Sequence, residues 1–264
     1  MMIALEKFFI DLGNKAMTFL YFLGGLVTLA GQTFYWTFVP PYSRQRIFDQ
    51  AKRTGYDSLA IVVLIGLFIG MIMALQTAVL MQRLGSEMYI ASIVALSITR
   101  ELGPVITSLV IAGRVGAAIT AEIGSMQVTE QIDALETLAM NPVKYLVVPR
   151  FLALSLMLPI LTLFANIIGI FGGYLICVYK LGISSTMYIK IASDAVLYKD
   201  LFTGLAKTVF FGMIIAFVSC FEGFNVEGGA EGVGNSTRKA VVASFILIIA
   251  ADCFFTALFY FIFP

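Results

Sequence analysis

Histidine is absent from this chain of 264 residues, and charged residues make up only 12% of it. A soluble domain carries about a quarter charged residues. This chain therefore cannot clothe a water-facing surface of ordinary polarity, and a soluble enzyme or a disordered protein is excluded. The lack of histidine removes the commonest metal ligand and proton shuttle, and with them any nucleophile–histidine–acid set. There is no basic excess either: the net charge is +1, which points away from nucleic acid. The cysteines, Cys177, Cys220 and Cys253, sit singly in apolar runs. Their odd number and wide spacing give no disulfide framework and no metal site, so all of them are read as small core residues. No phosphate-binding loop occurs: Gly228–Thr237 is glycine-rich but has no lysine in the required place and reads as a flexible loop.

What is present is long apolar runs, in keeping with a hydrophobic fraction of 60% and a mean hydropathy of +0.95. A membrane helix needs about 20 apolar residues. The spacing predicts spans over about 59–82, 88–121, 151–179, 201–221 and 240–263. The second of these is too long for one straight crossing and must project into water or break. Residues 1–42 are expected to form an N-terminal interfacial and elbow region. Glu6, Lys7, Asp11 and Lys15 suit a helix in the interface, and the uncharged stretch from Ala16 ends in Trp36, Pro40, Pro41 and Tyr42. Arg44, Arg46, Lys52 and Arg53 ahead of the first span place that side in the cytoplasm. Five crossings then put 122–150 and 222–239 inside, 83–87 and 180–200 outside, the N-terminus on the cytoplasmic side and the C-terminus across the membrane. The fold class is an all-α integral membrane protein, with 43–264 as one membrane domain.

The few charges inside the spans carry the functional signal. Arg100 and Glu101 fall near the middle of the second span, next to Gly103-Pro104. Burying such groups in lipid costs at least a few kcal/mol each. Neighbours in sequence do not face each other on a helix, so each must meet another helix, a second subunit or a wet cavity. Pro104 cannot donate to the Arg100 carbonyl, so freed backbone coincides with the charges. The functional reading is a substrate or gating site; the bland one is a buried ion pair. Lys207 is expected to snorkel to the interface, and Asp252 is a candidate partner for Arg100. In the first span Met73, Thr77, Leu80, Met81 and Leu84 share one helical face, a pattern suited to apolar ligands or to ordinary packing. Ala165, Gly169 and Gly173 in the third span form a small-xxx-small stripe for a close helix contact, within one chain or between two.

Between the second and third spans, residues 129–141 predict a short amphipathic helix. Ile132, Leu135, Leu138 and Ala139 form its apolar stripe, and Glu130, Asp133 and Glu136 its acidic face. Membrane-surface helices favour lysine and arginine, so an acidic helix fits a protein partner better.

Arg100-Glu101-Leu102-Gly103-Pro104, Ala112-Gly113-Arg114, Ala121-Glu122-Ile123-Gly124-Ser125-Met126, Thr129-Glu130-Gln131, Asn141-Pro142 and Val148-Pro149-Arg150 together resemble the signature of the MlaE/YrbE permeases. The likeness runs over about residues 45–263. It implies the permease subunit of an ABC transporter that moves phospholipids between the inner and outer membranes of Gram-negative bacteria. It implies a homodimer in the inner membrane, a separate cytoplasmic ATPase, a STAS-domain protein and a periplasmic hexamer of MCE-domain subunits. The helix at 129–141 then corresponds to a coupling helix, with Glu122, Glu130, Asp133 and Glu136 toward the ATPase. Met73, Thr77, Leu80, Met81 and Leu84, with Arg100 and Glu101 at the base, would line a lipid cavity between the two subunits. No cofactor is expected in this chain; ATP and magnesium belong to the partner. Two rivals stand beside this reading: an ion-coupled transporter using Glu101 and Asp252, and a membrane scaffold with no lipid path of its own.

Overall fold

The structure, a computed structural model, describes residues 2–40 and 43–262. The expectations for Pro41, Tyr42 and Phe263, and for the side chains of Glu6, Lys7, Asp11 and Lys15, fall outside the described residues. Within them the chain is helical and contains no strand. The helices are α1 (Met2–Thr37), α2 (Arg44–Arg83), α3 (Glu87–Val128), α4 (Gln131–Thr137), α5 (Val143–Tyr179), α6 (Ser185–Ala195), α7 (Tyr198–Phe224) and α8 (Gly229–Ile262). Of these, α2, α3, α5, α7 and α8 are long and apolar enough to cross a membrane. The expected five spans are therefore present, each lengthened beyond its apolar run.

Four features extend or differ from the sequence reading. First, the region expected to be interfacial and elbow is occupied by one continuous helix, α1. Gly24, Gly25 and Gly31 do not interrupt it: Gly25 lies against the Phe221 ring, so its missing side chain makes room for a neighbour rather than a bend. Second, the glycine-rich stretch after Gly228 is the start of α8, not a flexible loop. Gly228 and Gly229 take left-handed φ values of 84° and 69°, which glycine adopts without steric cost, and the turn they make launches the helix. Third, the expected outer loop contains α6, whose Tyr188 and Ala192 are buried against α3. Burial raises the Tyr188 hydroxyl pKa, so the group stays protonated, and it donates to the Ile170 carbonyl. Fourth, Cys177 and Cys220 are buried as expected, but Cys253 is exposed on α8.

The small-residue stripe of α5 packs within the chain. Gly66 of α2 faces the Ala165 backbone, Gly70 faces the Gly169 carbonyl, and Gly172 faces the Leu67 carbonyl. A methyl group at Gly70 or Gly172 would strike backbone, so the two helices meet main chain to main chain. Helix α3 runs unbroken through two π-helical stretches, Ile98–Leu102 and Ala112–Gly116. Each carries one arginine, and such bulges are concentrated at functional sites.

Candidate functional site

The first π-helical stretch forms where Pro104 withholds a donor. The Gly103 N–H reaches back to the Ile98 carbonyl, five residues away, instead of closing an ordinary α-helical turn. The Arg100 carbonyl, left without its helical donor, accepts from Lys207 Nζ at 3.4 Å. The freed backbone group expected from the proline is thus satisfied by a side chain of another helix.

That contact depends on a glycine. Asp200, Gly204 and Lys207 are spaced i, i+4, i+7 and share one face of α7. Gly204 lies against the Thr99 carbonyl, where any side chain would collide. With α7 held so close, the residues on either side of Gly204 reach the two charges of α3. Asp200 pairs with Arg100, accepting from Nε at 2.6 Å. Its other oxygen accepts from the Leu197 N–H at 3.0 Å, so one carboxylate both caps α7 and holds the arginine. Lys207 Nζ pairs with Glu101 at 2.7 Å and with Asp252 of α8 at 3.0 Å. It also donates to Thr256 Oγ1 at 2.7 Å, and the Thr256 hydroxyl donates on to Glu101.

Two sequence expectations are corrected here. Lys207 does not snorkel: it is 2% exposed, because four acceptors inside the bundle replace the water it would have sought. Asp252 partners Lys207 rather than Arg100, whose partner is Asp200. Asp200 itself is easily passed over because it stands beside an apolar run, where a charge looks like an ordinary helix end; its spacing to Gly204 and Lys207 is the available signal. As expected, Arg100 and Glu101 do not pair with each other.

This cluster borders a cleft of about 360 Å³ lined by Arg100, Glu101, Lys199, Asp200, Lys207 and Thr256, with Phe259 and Tyr260 at its edge. Asp200 belongs to the first turn of α7, yet Arg100 lies about 20 Å along α3 from Glu87. Helix α7 therefore starts well short of the end of α3. The charged side chains of Asp200 and Lys207 are almost wholly buried, while those of Arg100 and Glu101 remain 55% and 39% exposed. The cluster thus offers one cation and one carboxylate to the cleft, each fixed from behind by an opposite charge.

The methionine-bearing face of α2 does not border this cleft. Leu80 and Leu84 are exposed, Met73 and Met81 are half-buried against the cluster around Ala74 and Ile90, and Thr77 is buried. At the opposite end of the bundle, α4 is shorter than the expected 129–141. Left-handed Glu130 and Ala139 close it on either side. Ile132 anchors it in the core, and Glu130, Asp133, Glu136 and Leu138 are exposed. Glu122 is engaged within the chain: it pairs with buried Arg150 of α5 at 3.1 Å and with Arg53 of α2 at 3.8 Å. Arg114, in the second π-helical stretch, donates to Ser58 of α2.

A sequence profile for the family described as Permease MlaE matches residues 47–258. A probable ABC transporter permease protein of Rickettsia prowazekii is 45% identical over 221 residues, covering 84% of this chain and 85% of that protein. A probable ABC transporter permease protein of Synechocystis is 40% identical over 92% of this chain and 94% of its own length. The intermembrane phospholipid transport system permease protein MlaE of Haemophilus influenzae is 37% identical over 80% of this chain and 82% of its own. The charged motif of α3 and the five-span bundle thus come with matching sequence along most of the chain, which belongs to the MlaE family of ABC transporter permeases.

Proposed function

We propose that this chain is the multi-pass inner-membrane permease subunit of an ABC transporter that moves phospholipids between the two membranes of a Gram-negative cell. The observation that carries the reading is the membrane-embedded cluster of Arg100, Glu101, Asp200, Lys207 and Asp252 at a cleft of about 360 Å³. Charges buried at membrane depth mark a transport path by default, because lipid offers them nothing. Two copies would face each other so that their clefts and the exposed flanks of α2 enclose one cavity, open to the periplasm. Leu80 and Leu84 would touch acyl chains, with Met73, Thr77 and Met81 behind them, and Arg100 and Glu101 would form the floor. The α4 end would face the cytoplasm, leaving the C-terminus in the periplasm. Glu130, Asp133 and Glu136 would meet a separate ATPase that holds ATP and magnesium; Glu122 would brace the helices that carry this load. A STAS-domain protein and a periplasmic MCE-domain hexamer would complete the assembly.

The test is reconstitution of the permease with its ATPase in vesicles containing a labelled phospholipid. ATP-dependent lipid release is expected from the wild type and is expected to be lost in Glu101→Ala. Equal release by Glu101→Ala, or release that persists with an inactive ATPase, would refute the reading.

A further inference from the structure

Outside the cluster around Arg100, the chain holds a second polar cleft, of about 430 Å³, at the α4 end of the bundle. It lies where α1 ends, α2 begins and α5 begins, with Trp36, Ser43, Arg46, Lys144 and Tyr145 among its walls. The Arg46 guanidinium stacks over the Tyr145 ring, 3.4 Å from its centre, and Lys144 Nζ lies 5.1 Å from the centre of the Trp36 ring. Lys144 Nζ also donates to the Pro40 carbonyl at 3.3 Å. Among the described residues neither cation has a carboxylate partner, and none of the residues lining the cleft is acidic. The contrast with the first cleft is chemical: there Arg100 and Lys207 are matched by carboxylates, whereas here the lining holds two cations and no carboxylate.

The remaining walls narrow the occupant. Ile47, Met140, Val148 and Pro149 give the cleft an apolar side, and Val148 and Pro149 stand directly ahead of the apolar run of α5, a place that suits the headgroup level of a bilayer. Tryptophan and tyrosine favour that level, and basic pockets between spans favour anionic headgroups. A free phosphate would use the cations and leave the apolar wall bare. We propose that this cleft binds an anionic phospholipid of the adjacent leaflet, its phosphodiester between Arg46 and Lys144 and the start of its acyl chains along Ile47 and Val148. The site is separate from the cleft at Arg100 and does not depend on that cleft carrying lipid. Because Ala139 and Met140 border it directly after α4, a bound lipid would also steady the helix that meets the ATPase.

Trp36 is the only tryptophan in the chain and lines this cleft, so its fluorescence reports on the site. The full chain is reconstituted in phosphatidylcholine vesicles and titrated with phosphatidylglycerol or phosphatidylcholine brominated near the headgroup end of the acyl chains. With roughly a fivefold gain per cation near the surface, the brominated anionic lipid should reach half-maximal quenching at a tenfold or more lower mole fraction. The two curves should coincide in the Arg46→Gln/Lys144→Gln double variant and remain apart in Arg46→Lys/Lys144→Arg. Should the glutamine variant fail to fold, wild type in high salt serves instead, and the preference should shrink as the cations are screened. Coincident curves in the wild type, or an undiminished preference in the glutamine variant, would overturn the proposal. Inorganic phosphate abolishing the preference at millimolar concentration would assign the cleft to a soluble anion and overturn it too. Loss of ATPase binding by the glutamine variant with its lipid preference intact would make the cleft a protein-docking surface. None of these outcomes alters the lipid release expected of the wild type through the Arg100 cleft.

Discussion

The α2–α5 seam and the α3–α7–α8 cluster join helices by opposite means. At the middle of the seam, Gly66, Gly70 and Gly172 bring main chain against main chain, in contacts that involve backbone rather than charge. At the cluster, a single glycine, Gly204, provides the approach, and five charged side chains use it. The seam is held by shape, so its cost of disruption is steric. The cluster is held by charge, so its cost is that of a buried group left alone.

Substitutions can break that contrast. The largest effect is expected from Lys207→Ala, which strands Glu101 and Asp252; removing one partner of a buried pair costs about 3–5 kcal/mol. Thermal melting in detergent should show this, and the triple variant Lys207→Met, Glu101→Gln, Asp252→Asn should recover much of the stability without recovering lipid release. If the triple variant melted as low as the single one, packing and not charge would hold the cluster. Next, Gly70→Val should lower stability by about 1–3 kcal/mol through overpacking, with Gly169 as the struck backbone. Its melting point should fall while any release activity left in the folded fraction keeps its dependence on Glu101. Asp200→Asn should follow, losing the Arg100 pair but retaining the bond from the Leu197 N–H; a loss of release larger than the loss of stability is expected. The smallest effect on stability belongs to Glu130→Lys/Glu136→Lys, since both groups are exposed; melting should move by less than about 0.5 kcal/mol. ATPase co-purification should nonetheless fall, and normal coupling in this variant would remove α4 from the interface.

Much of this architecture is legible in the residues alone. Apolar runs locate all five spans, and proline beside Arg100 and Glu101 points to the charged cluster and predicts the freed carbonyl. The acidic pattern after α3 locates α4, though not its shortness, because left-handed Glu130 and Ala139 are not residues whose type announces such a turn. Helix α6 is short and lies between two spans, and what holds it is burial of Tyr188 and Ala192 against α3, a contact made only in the tertiary structure. Lys207 misleads because a lysine near a span end ordinarily reaches water, and its three side-chain partners lie on two other helices.

By itself, then, the sequence determined that the chain lives in a membrane, how often it crosses, and which charges are costly there. Hydropathy and helical period are sums over neighbours in the chain, so they can be read along it. The partners of those charges were decided only by the tertiary structure. Arg100 and Asp200 stand 100 positions apart, as far in sequence as they are near in space. What brings them together is the bare Cα of Gly204 against the Thr99 carbonyl, a steric fact that exists only once α3 and α7 are packed.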